Sequence, residues 1–328
     1  MRLLLVVGMM VLAAAAGAGY WLYEAYRQPG PLAAEATVVI EPGVGGAAIA
    51  QQLADEGIIA NALAFRLGTR LAGIGGALQA GEYTFPPGIG AAAVAQALTR
   101  GAVRIHRLTL PEGLTSKQVV SLLHEVDALA GVVDGVPPEG SLLPETYHFT
   151  RGDRRDAMIA RMSDAMARVL ADLWEQRAPD LPLTSPEEAL ILASIVEKEA
   201  ALAEERPRIA AVFINRLRRG MPLQADPTVI YAVSDGDGTL SRPLTRADLR
   251  TPSPYNTYTI NGLPPGPIAN PGADSIRAVL NPADTDELFF VADGSGGHAF
   301  ARTLAEHNRN VARWRAHLRR NAESSASE

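Results

Sequence analysis

The chain has no cysteine and only two lysines among its 328 residues. The absence of cysteine excludes disulfides, zinc–thiolate sites, iron–sulfur clusters and thiol nucleophiles. Acidic residues outnumber basic ones by 36 to 30, which gives a net charge of −6. Because a protein that follows a phosphate backbone needs a basic surface, this balance disfavours nucleic acid as a partner.

Motifs of common metal-dependent and nucleotide-binding enzymes are also missing. The six histidines never occur as His-x-x-x-His, no glycine-rich loop carries Gly-Lys-Ser/Thr, and there is no Gly-x-Ser-x-Gly. These patterns are typical of zinc peptidases, phosphate-binding loops and serine hydrolases. The sequence therefore predicts a protein that uses no metal and no cofactor.

The N-terminus carries an uncharged, apolar run over residues 3–22. As a helix this run would be about 30 Å long, which matches the hydrocarbon core of a bilayer. Tyr20, Trp21 and Tyr23 lie at its end, where aromatic rings favour the membrane interface. The small residues 13–18 also fit a signal peptide, so cleavage stays open. We favour a single-pass anchor over residues 1–27 in the cell (inner) membrane, with the body of the chain on the periplasmic side.

The rest of the chain has a globular composition, with 47% hydrophobic and 20% charged residues. Residues 28–34 are rich in proline and glycine, as in a linker. Strand and helix patterns then follow one another over residues 37–110, which predicts a small α+β domain over residues 28–110. Pro111-Glu112-Gly113 marks the boundary with a mixed helical and β domain, residues 111–328. The predicted fold class is α+β.

Two glutamates follow an apolar helix in the second domain. Ser185 and Pro186 indicate a helix start, and residues 189–196 are apolar on every side, which predicts that protein surrounds them. Glu197 and Glu199 come directly afterwards. Burial raises the pKa of a carboxyl group and keeps it protonated, as a general acid requires. Spacing alone does not select between the two glutamates, and both could instead form ion pairs on a wet face.

Two polar loops lie in residues 221–272, a region with too little periodicity for long elements. Residues 223–228 and 253–258 concentrate amides, hydroxyls and aromatic rings. Amides and hydroxyls bind the hydroxyl and acetamido groups of a sugar polymer, and rings stack on its apolar faces. The alternative is that these side chains only cap helices and shape turns, as Asp226 before Pro227 would do.

These blocks together carry a resemblance to a known family. The sequence resembles the YceG-like endolytic murein transglycosylases in five blocks that occur in order: Ala193-Ser-Ile-Val-Glu-Lys-Glu199, Gln224-Ala-Asp-Pro-Thr-Val229, Tyr255-Asn-Thr-Tyr258, Gly262-Leu-Pro-Pro-Gly-Pro-Ile-Ala-Asn-Pro-Gly272 and Phe290-Val-Ala-Asp-Gly-Ser-Gly-Gly-His298. The resemblance covers essentially the whole chain, and it implies that residues 28–110 are a LysM-like module. It also implies a lytic-transglycosylase-type catalytic domain that cuts nascent peptidoglycan strands internally and terminates their elongation.

The resemblance implies a set of site residues. The catalytic glutamate falls on Glu199, with Glu197 as the second choice because Ala200 stands where related enzymes carry a hydroxyl residue. The implied substrate-binding residues are Gln224, Asp226, Tyr255, Asn256, Tyr258, Asn270 and His298. The implied partners are peptidoglycan glycan strands and the peptidoglycan synthases of elongation or division.

The implied reaction cleaves between N-acetylmuramic acid and N-acetylglucosamine and leaves a 1,6-anhydro end. A single glutamate suffices for it, because the attacking group is the substrate's own C6 hydroxyl and not water. Two alternatives remain open at this point. One is a non-catalytic peptidoglycan-binding scaffold, and the other is a hydrolytic muramidase that uses Glu199 with Asp226.

Overall fold

The computed structural model describes the backbone of residues 2–325 and the side chains of residues 4–321. Met1 and residues 326–328, which belong to the predicted domains 1–27 and 111–328, lie outside this part. The helices are α1 (Arg2–Arg27), α2 (Gly46–Asp55), α3 (Ala62–Leu71), α4 (Ala91–Arg100), α5 (Ser116–His124), α6 (Arg155–Glu175), α7 (Pro186–Glu199), α8 (Arg206–Arg218), α9 (Asp226–Val233), α10 (Ala273–Leu280) and α11 (Leu304–Ser325). The strands are β1 (Ala36–Ile40), β2 (Gly81–Phe85), β3 (His106–Thr109), β4 (Thr146–Phe149), β5 (Phe289–Ala292) and β6 (His298–Ala301). The mixed α+β class is confirmed.

The chain divides into two compact units. The first comprises the residues up to Arg107 together with His148–Asp153, and the second comprises Leu108–Tyr147 and the chain from Arg154 onwards. The strands pair as β1 with β2, β3 with β4 and β5 with β6. The division into functional domains 28–110 and 111–328 stays a prediction.

The first unit is built on the antiparallel pair of β1 and β2. The β-branched residues of β1 favour a strand, and Val38 lies opposite Tyr83 in the register. Helices α2, α3 and α4 bury their apolar stripes in one core with this pair. The core contains Val38, Ile40, Ile49, Leu53, Phe65, Tyr83, Phe85, Val94 and Leu98.

Residues 148–153 belong to the first unit because Arg151 pairs with the buried carboxylate of Glu82. Glu82 is only 5% exposed and contacts Arg104 at 3.2 Å, His106 at 2.8 Å and Arg151 at 2.9 Å. Burial raises the pKa of Glu82, but the hydrogen bonds from His106 and Arg151 outweigh it, so the pKa lies below its ordinary value. A buried carboxylate needs such partners, and Arg151 therefore holds its segment on this unit.

Helix α1 belongs to the first unit and is long and apolar enough to cross a membrane, with a mean hydropathy of 1.9. A signal sequence can have the same length and apolar composition. The segment that follows α1 was expected to be a linker, but it is bonded to the unit. The Gly30 N–H donates to Ile89 O at 3.1 Å, and the Gly88 N–H donates to Leu32 O at 2.8 Å.

We expect Gly30→Ala to lower the free energy of unfolding by about 1–3 kcal/mol, because this close fit leaves no room for a side chain. A Cβ at residue 30 would lie 2.3 Å from Ile89 O and 2.8 Å from Ile58 O. Gly45→Ala is the matched control, since nothing lies within 4 Å of a Cβ there. Thermal unfolding of both variants tests this, and equal melting temperatures would contradict it.

The second unit is organised around α7. The predicted start of α7 is confirmed: Ser185 caps the helix by accepting from the Glu188 N–H, and Pro186 begins it. Helices α6, α8 and α10 pack against α7. The residues of α7 that reach this core are Ala189, Leu192, Ala193, Ile195 and Val196. Helix α7 ends at Glu199 because Ala200 takes an extended conformation.

Candidate active site

Glu199 is the last residue of α7 and is half-buried. Residues 191–196, which precede it and are apolar except for Ser194, are all buried. Desolvation raises the pKa of Glu199 to about 8, and the negative charge of Asp226 adds to the rise. The Arg216 charge and a hydrogen bond from the Asp226 N–H act in the opposite direction and are weaker. Glu199 is therefore mostly protonated at neutral pH.

Asp226 and Tyr258 form a pair next to Glu199. Asp226 is the first residue of α9, where a turn was expected, and it accepts a hydrogen bond from the Tyr258 hydroxyl at 2.6 Å. Burial raises the pKa of Tyr258, and this hydrogen bond raises it further. The backbone N–H of Asp226 also bonds to Glu199, so Asp226 contacts Glu199 through its backbone and the half-buried Tyr258 through its side chain.

The loops around residues 224 and 257 are fastened to each other. The Gln224 N–H donates to Thr257 O at 3.1 Å, and the Ala225 N–H donates to the Thr257 hydroxyl at 3.0 Å. Gln224 has a φ of 50°, in the left-handed region that non-glycine residues rarely adopt, and its side chain is exposed. Backbone strain of this kind is common at functional sites, where surrounding bonds hold it in place.

Arg216 lies beneath the site and was not predicted from the sequence. The residue is 7% exposed, and its guanidinium donates to Leu288 O at 2.7 Å and to Leu223 O at 2.6 Å. Burial lowers the pKa of Arg216, whereas charge interactions with Tyr258 and Glu199 raise it by a smaller amount. The signal in the sequence was an arginine within the apolar run of α8, at a position that faces the core.

Glu197 has a different environment from Glu199. Its carboxylate accepts from Arg206 Nη2 at 3.1 Å and from the Gly272 N–H at 2.9 Å, directly before α10. Glu197 thus forms an ion pair, as one of the alternatives from the sequence expected. The pair is with Arg206 and is buried, whereas the expectation was a solvent-exposed face. Lys198 pairs with neither glutamate and donates to Gly113 O at 3.1 Å.

We expect Glu197→Gln to lower the free energy of unfolding by about 1–3 kcal/mol, because it leaves the buried Arg206 charge with less compensation. The side chains of Glu197 and Arg206 are 5% and 14% exposed, so water cannot fully replace the lost partner. Glu204→Gln is the control, since Glu204 is exposed. Chemical denaturation of both variants measures the difference, and equal midpoints would contradict the assignment.

Two of the predicted substrate-binding residues, Asn256 and Asn270, are fully buried. Asn256 Nδ2 donates to Thr251 O at 2.8 Å, and its Oδ1 accepts from the Tyr258 N–H at 3.0 Å. Asn270 Nδ2 donates to Leu114 O at 3.0 Å. These contacts give both residues a positioning role, and direct contact with substrate stays a prediction.

Glu139 is a half-buried carboxyl that the sequence did not suggest. It accepts from the Ser116 N–H at 2.8 Å and from Asn270 Nδ2 at 3.4 Å. Burial raises the pKa of Glu139, although hydrogen bonds such as that from the Ser116 N–H oppose the rise. It ties the start of α5 to the loop that carries Asn270, a relation between distant segments that no local pattern reveals.

Tyr255 and His298 have partners within the second unit. The Tyr255 ring packs on Tyr231 with the ring centres 5.0 Å apart, and Tyr255 itself is half-buried. His298 Nδ1 lies 2.7 Å from Glu205 Oε2, and its ring meets Phe290 edge-on. These contacts fix both rings, and their roles in substrate binding stay predictions.

A cavity of about 520 Å³ adjoins the Asp226 side of the site. Asp226 and Lys198 line it, together with apolar side chains such as Ile230 and Ile268. A cavity of this size with an apolar wall and a few polar groups suits a sugar unit. Among the described residues, no group of three or more His, Asp or Glu side chains is arranged to hold a metal ion.

Comparison with known proteins shows the family of the chain. The model of the YceG-like family matches residues 38–313. The chain belongs to the YceG-like family. A protein of Bacillus subtilis named endolytic murein transglycosylase is 32% identical over 306 residues, which cover 82% of this chain and 82% of that protein. The family resemblance inferred from the five sequence blocks is therefore confirmed.

Other similar proteins match over different lengths. A protein of Streptococcus pneumoniae with the same name is 38% identical over 181 residues, but the match covers 53% of this chain and only about a third of that longer protein. The crystal structure of a YceG-like protein from Listeria monocytogenes has a TM-score of 0.53 and 31% identity, covering 84% of this chain and 98% of that one. The fold is thus a YceG-like fold.

Proposed function

We propose that this chain is an endolytic peptidoglycan transglycosylase in which Glu199 is the single acid and base. The observation that carries this proposal is the raised pKa of Glu199, about 8, at the end of a buried helix and beside exposed polar loops. At neutral pH most molecules hold a proton on this carboxyl, ready to be donated. The names of the family relatives support the same activity and substrate.

In the first step, Glu199 donates its proton to the glycosidic oxygen between N-acetylmuramic acid and N-acetylglucosamine. The bond from C1 of the muramic acid to that oxygen breaks, and positive charge develops at C1. In the second step, the Glu199 carboxylate takes the proton of the C6 hydroxyl as O6 bonds to C1. This closes the 1,6-anhydro ring, regenerates the acid and consumes no water.

The neighbouring residues support these steps through charge and hydrogen bonding. The Asp226 carboxylate, oriented by the Tyr258 hydroxyl, stabilises positive charge at C1 and disfavours ionisation of Glu199 before substrate binds. The exposed Gln224 amide binds an acetamido group, and Tyr255 stacks on a sugar face. Asn256 and Asn270 hold the loops that carry these groups, and His298 extends the binding surface.

The remaining domains fit the same proposal. Residues 28–110 are a LysM-like module that binds glycan, and α1 anchors the chain in the cell membrane with its body outside the cytoplasm. Peptidoglycan synthases are the partners that would supply nascent strands. Protease added to spheroplasts should then degrade the body of the chain, and full protection would contradict this topology.

Mass analysis of the products tests the reaction type. The full-length chain in detergent is incubated with peptidoglycan in water enriched in heavy oxygen. We expect anhydro-ended products without label. Labelled reducing ends would favour a muramidase in which Asp226 acts with Glu199, and binding without any product would favour a scaffold, so either result contradicts the proposal.

A further inference from the structure

An apolar groove lies between α1 and α3 in the first unit, far in sequence from the catalytic residues. It has a volume of about 630 Å³ and is lined by Gly19 and Leu22 of α1 and by Leu67 and Leu71 of α3. A cavity of this volume is on the order of 10 Å across, so its lining residues lie close together. Gly19 and Leu22 belong to the uncharged run of residues 3–22. Any environment that surrounds the end of this run therefore also reaches α3.

The outer face of α3 is apolar and exposed. Leu63, Leu67 and Leu71 recur every four residues along one side of the helix, and Leu63 and Leu71 are 52% and 89% exposed. Arg66 and Arg70 are exposed on the same helix, which contains no acidic residue. Leucines on one face with flanking arginines are typical of a helix that lies in a lipid–water interface.

The position of α3 relative to the end of α1 is fixed. The two helices approach so closely that a Cβ at Gly68 would lie 2.5 Å from the Tyr26 ring. The bonds of Gly30 to the loop at residues 88–89 hold the chain directly after α1 in place. When α1 crosses a bilayer, α3 therefore cannot swing away from the membrane surface on a linker.

We propose that the exposed face of α3 lies in the phospholipid surface at the outer end of α1. Leu63, Leu67 and Leu71 enter the boundary between headgroups and acyl chains, and Arg66 and Arg70 contact lipid phosphates. The groove between α1 and α3 is filled by acyl chain. This inference rests on the proposed membrane anchor and is independent of the proposed reaction.

The absence of cysteine makes a direct test available, because a single introduced cysteine is the only site for a thiol-reactive label. Leu71→Cys carries an environment-sensitive fluorophore in the full-length chain, reconstituted in vesicles of phosphatidylethanolamine and phosphatidylglycerol. Lipids with a nitroxide near the headgroup end of the acyl chain quench labels at residues 71 and 51, and lipids with a nitroxide near the methyl end quench a label at residue 11, which lies at the middle of the apolar run. Val11→Cys in α1 reports on the anchor, and Gln51→Cys on the polar exposed face of α2 is the matched control.

We expect the label at residue 71 to be quenched about fivefold more strongly than the label at residue 51, as for other interfacial helices. If the label at residue 11 is quenched while those at 71 and 51 respond equally, α1 is in the membrane and the proposal for α3 is wrong. If the label at residue 11 is not quenched either, the anchor itself is wrong and this proposal falls with it. Cleavage of peptidoglycan is not part of any readout, so these outcomes stay separate from the proposed reaction.

Discussion

Glu199→Gln is expected to lower kcat by about 10²–10⁴-fold, the usual contribution of a positioned acid and base. Glutamine keeps the shape of the side chain but has no proton to donate to the glycosidic oxygen. The measurement is the rate of release of anhydro-ended products from peptidoglycan. Glu197→Gln is the matched comparison, since it changes the same chemical group two residues away and should lose stability but retain activity below its unfolding transition.

Glu199→Gln should also make the folded protein more stable at neutral to alkaline pH. The pKa of Glu199 is about 8 when folded and near its ordinary value of 4.5 when unfolded. Stability is therefore lost as pH rises from 4.5 to 8, because only the unfolded chain releases the proton easily. We expect Glu199→Gln to raise the free energy of unfolding in this pH range by about 1–3 kcal/mol. A fall in both activity and stability would instead indicate a structural role for Glu199.

Asp226→Asn is expected to move the alkaline limit of activity to lower pH. In the wild type, kcat falls as pH rises through about 8, because Glu199 then loses the proton that it must donate. Removing the negative charge of Asp226 lowers the pKa of Glu199, so the acid form is lost earlier. We expect kcat at pH 8 to fall roughly tenfold.

The full profile of kcat against pH checks this prediction. Asp172→Asn on the exposed face of α6 is the control, and it should leave the profile unchanged. An alkaline limit that stays in place in Asp226→Asn would show that Asp226 does not set the protonation of Glu199. A limit that moves upward would contradict the sign of the interaction.

Local patterns were enough to predict helix α1 and helix α7, which ends at Glu199. The Ser185 cap, the apolar run of α7 and the N-terminal helix α1 all depend on signals within a few residues. The division of roles between Glu197 and Glu199 was not predicted from spacing. Residues two apart on a helix point in opposing directions, yet only the position of Arg206 shows which direction is the structural one.

Other features depend on contacts between distant segments. Helix α9 begins at Asp226 in a segment rich in loop-forming residues, and α10 was also not predicted, because both are short and gain their stability from packing. The roles of Arg216 and Glu139 were not predicted because Arg216 bonds to Leu288 and Glu139 to Ser116, which are distant in the sequence. The five sequence blocks were enough to predict the family and to propose Glu199 as the acid, whereas the charges around Glu199 depend on the fold.

Direct titration of the Glu199 carboxyl is the sharpest test of the account. The chain is labelled with ¹³C at the side-chain carboxyl of glutamate, and the Glu199 signal is assigned by its loss in Glu199→Gln. We expect this signal to titrate with a pKa of about 8. Titration near the ordinary value of 4.5 would mean that Glu199 is ionised at neutral pH and is not the acid.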